Sequence, residues 1–233
     1  MIFNILRSTA TIQDKFIQAI SFVVAIIGAI VLHEIAHGYA ALLNGDRTAK
    51  EMGRLTLNPA AHIDWSGAIM FLVVGIGWAK PVPINSNNFK KTKSGIVTTA
   101  LAGVLINFVL ALLSFGLMAG MGALLIKYAA MSAFLVILIK FLYFIAFFGT
   151  LINLSLIAFN LLPLYPLDGF RVVEVLTPPN NKFVVFMRRY SLYIFLGLIL
   201  LGIIPQIDIL GMYINAVRNV ILKLFALIFG VNI

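Results

Sequence analysis

Between Phe16 and Leu32 the chain runs seventeen residues without a charge. Further apolar runs follow at Ile96–Ile126, Ala133–Phe159, Phe183–Ile204 and Ile207–Phe229. Crossing the hydrocarbon core of a bilayer takes about 20 apolar residues as a helix. No water is there to satisfy a backbone polar group, so each run must close its own hydrogen bonds. The chain is 62% hydrophobic and only 11% charged, where soluble domains sit near about a quarter charged. A polytopic membrane protein is the class that fits.

The first run extends from Phe16 to Leu43 and is closed by Asn44-Gly45-Asp46, a helix-stop and turn signal. Pro205 ends the fourth. The fifth carries Asn215, Arg218, Asn219 and Lys223 at helical spacing; it either spans with that face toward the bundle or lies in the interface. Between the first two spans, Gly67–Gly77 is apolar but about half the length of a span. Trp65 and Trp78 flank it, and Pro81-Val82-Pro83 follows. Glycines, β-branched residues and interfacial tryptophans there predict a re-entrant strand at Ile69–Trp78 shielded by protein, with a short helix as the alternative. The expected fold class is an all-α polytopic membrane protein of about five to six transmembrane helices, with that short re-entrant β-strand or hairpin between the first two spans.

One membrane domain over residues 1–233 is expected, with a core at about 16–175 and C-terminal helices at about 183–230. Met1–Lys15 offers no small-residue cleavage site, so no cleavable signal is expected. A net charge of +9 would suggest nucleic acid for a soluble protein. Here it reads as cations held on one face of the lipid bilayer, and no nucleic-acid partner is expected. Seven Lys/Arg fall in residues 44–94 and four in 160–190, against Arg7, Lys15 and Lys127 on the other side. The positive-inside rule puts the first two regions in the cytoplasm of a multi-pass cell-membrane protein.

At the end of the first run the sequence reads Leu32-His33-Glu34-Ile35-Ala36-His37-Gly38. Two histidines four apart on a helix stand on one face, where both rings reach one metal. Glu34 beside them can take a proton from a water that the metal activates. The chain has three histidines and no cysteine, so imidazole and carboxylate are the available ligands. A catalytic zinc needs a third protein ligand and an open position. Topology directs attention to the end of the third span, where Asn160-Leu-Leu-Pro163-Leu-Tyr-Pro-Leu167-Asp168-Gly169 sets Asp168 after an apolar stretch broken by two prolines. Alone, Asp168 could equally cap a helix starting at Gly169; beside H-E-x-x-H the metal reading leads.

Those two motifs, N-x-x-P-x-x-x-L-D-G and H-E-x-x-H, resemble the site-2 protease family of intramembrane zinc metalloproteases, peptidase family M50, at every fixed position and in order. Gly45-Asp46, Gly53–Pro59 and His62-Ile63-Asp64 are similar to the stretch that follows in compact prokaryotic members. Gly77–Pro83 is similar to their membrane-associated strand and loop. Gly103-x-x-x-Asn107 looks like their small-residue motif, with Val104 where a proline often stands. The resemblance implies one zinc per chain held by His33, His37 and Asp168, with Glu34 as general base. It also implies Asn160 near the scissile peptide and Asn107 supporting substrate binding, Asn107 reading equally as an interhelical hydrogen-bonding group. His62 suits loop packing, with a proton donor as the alternative reading. The implied activity is cleavage of transmembrane protein substrates, in a site opening toward the cytoplasm and without PDZ or CBS domains. Alternatives are a prenyl-protein type protease, a transporter with structural zinc, or a protein that sequesters membrane proteins without cutting them. Against them stand the L-D-G ligand and a base between the histidines.

Overall fold

The computed structural model describes residues 5, 8–74, 77–127, 132–202, 204 and 207–231. In chain order its helices are α1 (Ile12–Leu43), α2 (Thr48–Glu51), α3 (Trp65–Val74), α4 (Thr92–Lys127), α5 (Ala133–Asn160), α6 (Asp168–Leu176), α7 (Lys182–Leu201) and α8 (Ile209–Phe229). Two 3-10 turns, Pro59–Ala61 and Ser86–Asn88, punctuate the loops. Five helices among the described residues, α1, α4, α5, α7 and α8, are long and apolar enough to cross a membrane.

The caps follow from local sequence. Thr11 accepts from the Asp14 N–H to start α1, and Asn44 with Gly45 at φ +111 ends it, a backbone angle that favours glycine. Helices α1, α4 and α5 form the centre. Phe22, Ala25 and Ala29 of α1 bury against Phe148 and Ile152 of α5. Ala111 and Phe115 of α4 bury with Leu154 and Ile157 of α5 and Phe225 of α8. Small residues permit close approach: a methyl at Gly149 would lie 2.8 Å from Ser114 Oγ, so glycine there lets α5 seat the Ser114 side chain of α4. Polar groups on α5 bond their own helix, Thr150 to the Ala146 carbonyl and Asn153 to that of Gly149, as an apolar solvent demands. Leu105, Leu113 and Leu117 leave one stripe of α4 facing outward, a face that lipid accepts at no cost.

The re-entrant strand is not found. Trp65–Val74 is helical, residues 75 and 76 lie outside the described residues, and the β pairing among described residues is a single antiparallel bridge between Ile63 and Ala79. The reason lies upstream of the apolar run. Asp64 Oδ1 accepts from the N–H groups of Ser66 at 2.9 Å and Gly67 at 3.1 Å, which caps a helix. A lone strand would leave its backbone unpaired, whereas a helix pairs it internally. The ten residues of α3 extend about 15 Å, and the chain then returns to where it left. Gly67 and Gly77 meet at that crossing, where a side chain on either would strike the other's backbone neighbourhood.

Candidate active site

His33 and His37 lie one turn apart on α1, both 7% exposed, with Nε2 atoms 2.9 Å from each other. Asp168 arrives from the far side as the first residue of α6, a helix whose N-cap position, Leu167, makes no side-chain cap. Pro163 and Pro166 end α5 and turn the chain; Tyr165 donates its N–H to Ser191 Oγ of α7 at 2.9 Å. Gly169 makes the close return possible, because a methyl there would lie 2.5 Å from the Leu161 carbonyl oxygen. Asp168 Oδ2 thus comes to 3.4 Å from His33 Nε2 and 3.2 Å from His37 Nε2.

The donor chemistry of this trio calls for a cation. His37 Nδ1 sits 2.7 Å from the Thr99 carbonyl oxygen, which can only accept. His33 Nδ1 sits 2.9 Å from Asn107 Oδ1. With the proton on Nδ1 in both rings, both Nε2 lone pairs turn inward. They face one another and a buried carboxylate oxygen that has no hydrogen-bond partner. Three acceptors without a proton among them are costly in an apolar setting. The spacing suits a metal: tetrahedral ligands at zinc distances stand about 3.3 Å apart. The residues fit zinc, and the three are the metal-competent cluster among the described residues.

A methyl at Gly103 of α4 would lie 2.5 Å from both His33 Cε1 and His37 Nε2. Glycine there lets α4 pass flat against the rings.

Glu34 points into the same cleft, and its Oε2 accepts the Val82 N–H at 2.8 Å. The loop bearing Val82 is strapped at several points. Arg54 Nη2 donates to the carbonyls of Lys80 at 2.9 Å and Pro81 at 3.1 Å, and the Lys80 N–H donates to the His62 carbonyl. Asp46, 1% exposed, accepts from the Asn85 N–H at 2.7 Å and the Asn88 amide at 2.8 Å, and from the Thr48 hydroxyl. Burial pushes the Asp46 carboxyl up, but the donors from Thr48, Asn85 and Asn88 outweigh it and hold it below the usual range.

The cleft measures about 340 Å³ and is lined by His33, Glu34, His37, Val82, Asn160, Tyr165, Asp168 and Arg171, among others. The structure therefore brings five of the six expected residues to one wall-to-wall space. Asn160 forms part of the wall, with its amide donating to the Leu156 carbonyl at 3.0 Å. Asn107 is the exception: fully buried, it lies behind His33. His62 is buried in the loop with Nε2 2.9 Å from the Thr56 carbonyl oxygen and is not among the residues lining the cleft. Sequence reading assigned nothing to Thr99, Val82, Arg54 or Asp46. Two of these act through backbone atoms, which leave no side-chain signature. Arg54 and Asp46 lay in stretches already similar to the family, and that was the available signal.

The family model described as Peptidase family M50 matches residues 21–202. The chain is 40% identical over 214 residues to a protein of Bacillus subtilis (strain 168) named "Putative zinc metalloprotease YwhC", covering 89% of this chain and 91% of that one. No solved structure matches. The matched span contains the histidine pair on α1 and the distant carboxylate on α6 alike, and with that extent of likeness the chain belongs to peptidase family M50, whose metal is zinc.

Proposed function

We propose that this membrane metalloprotease is an intramembrane endopeptidase of the site-2 type, cutting the transmembrane segments of membrane proteins in a cleft that opens to the cytoplasm. The observation that carries the reading is the convergence of two imidazole lone pairs and a carboxylate oxygen with Glu34, all in one cleft between apolar helices. Zinc bound there supplies Lewis acidity, lowering the pKa of a water and drawing charge from the carbonyl under attack.

The chain's own groups do the rest. Glu34 takes the proton from the attacking water and hands it to the leaving amine nitrogen. The Val82 N–H fixes one oxygen of Glu34 and leaves the other for that water. Asn160, on the cleft wall, can turn its amide from the Leu156 carbonyl to a substrate peptide oxygen. A helical substrate hides its carbonyls in hydrogen bonds, so the segment must open before it is cut. Helix-breaking residues in the substrate lower that cost. The catalytic unit is residues 16–175, with α7 and α8 completing one domain.

The test is cleavage of a model transmembrane protein by the purified chain in lipid vesicles. Glu34→Gln should retain zinc and lose about a hundredfold or more in rate. Near-normal cleavage by that variant would sink the proposal.

A further inference from the structure

Thr99, Gly103 and Asn107 stand four residues apart on α4 and face the histidine pair as one stripe. The two imidazoles are held by different means. His37 leans on a backbone carbonyl, which any residue at position 99 supplies. His33 leans on a side chain, and at that position the residue type matters.

We propose that Asn107 is a positioning residue for the metal and makes no contact with substrate. Its amide oxygen, 2.9 Å from His33 Nδ1, holds the proton on that nitrogen and sets the ring plane so that Nε2 faces His37 and Asp168. This rests on the zinc reading of the ligand trio. A neutral imidazole carries one N–H; with Nε2 given to the metal, Nδ1 holds it and needs an acceptor. Asn107 is 0% exposed and does not line the cleft, whereas Asn160 does. Its Nδ2 is buried with no hydrogen-bond partner among the described residues. An amide serving only to join helices would use both ends, and a packing residue would be apolar and strand no donor. The oxygen toward His33 is what the position retains.

The experiment measures zinc affinity by chelator competition in detergent for the full chain and for Asn107→Asp, Asn107→Ala and Asn107→Leu. Thermal unfolding with excess chelator and kcat and KM on a model transmembrane substrate accompany it. Asn107→Leu and Asn107→Ala should bind zinc about ten- to a hundredfold more weakly. Asn107→Asp, which keeps an acceptor at the same place, should stay within a few-fold of the parent. Saturating zinc should restore kcat in the weakened variants with KM unchanged. Parental zinc affinity with a raised KM overturns the proposal in favour of substrate contact. Equal weakening in Asp, Ala and Leu variants, with metal-free unfolding temperatures lowered in all three, overturns it in favour of packing. Undiminished zinc binding by His37→Ala would instead remove the ligand trio on which it rests.

Discussion

Glu34 Oε2 and the backbone N–H of Val82 stand 2.8 Å apart. Pro81 and Pro83 flank Val82 and carry no N–H of their own, so this short stretch has one donor and directs it at the proposed base. Arg54 grips the two carbonyls just before it. The carboxylate is thus oriented from a loop outside the helix that bears it.

Val82→Pro deletes that donor while keeping an apolar residue. We expect a fall in kcat of about ten- to a hundredfold through misorientation of Glu34, with zinc content unchanged. Val82→Ala keeps the N–H and should stay near the parent. Steady-state cleavage assays of both decide the matter, and normal turnover by the proline variant would mean that the loop does not orient the base.

Gly103→Ala should weaken zinc retention about tenfold or more, because its methyl would fall 2.5 Å from both imidazoles and the rings must rotate off the ligand geometry. Gly28→Ala on α1, where nothing lies within 4 Å, is the control and should leave metal content intact. Metal analysis after dialysis reads both.

Asp46→Asn should destabilise the folded chain by about 2 kcal/mol at neutral pH, since a carboxylate surrounded by donors is replaced by a group that is itself half donor. The folded-state carboxyl lies below its ordinary 3.8. Its stabilisation is therefore fully present above pH 3.8 and is lost as pH falls through the lower folded value. Unfolding temperatures of the two proteins should differ at pH 7 and converge in stronger acid. A gap that persists unchanged in acid would show that the charge is not what matters.

The proposed cytoplasmic orientation is open to direct labelling, because the chain has no cysteine of its own. Single cysteines at Asn87 and Lys182, both exposed, should resist a membrane-impermeant thiol reagent in intact cells and react after lysis. Reaction of either in intact cells would reverse the assignment.

Much of this architecture could be read in the chain. Uninterrupted apolar runs mark the long helices to within a few residues, because bilayer thickness leaves little choice of length. The proposed ligand trio was legible for a related reason: a carboxylate among Leu161–Leu167 neighbours needs a cation, and a metal bound by two histidines four apart would supply one. The segment at Ile69–Trp78 was misread because ten apolar residues with β-branching satisfy either period. Asp64, a polar residue outside the run, decides for helix by capping it. The pairing of Asn107 with His33 depends on how α4 rotates against α1, which no local pattern in α4 encodes. Asp46 and Arg54 act on a loop far along the chain, and only folding reveals what they hold.

The proposed metal ligands are divided between α1 and the first residue of α6, which follows the third long helix. During synthesis both histidines and Glu34 are in place well before Asp168 exists. A nascent chain at that stage has the proposed base and two of the three proposed protein ligands, one short of what a catalytic zinc takes. On the proposed ligand assignment, hydrolytic competence is expected only once Asp168 of α6 has reached the two histidines of α1. Zinc retention is then expected to report that α6 has met α1.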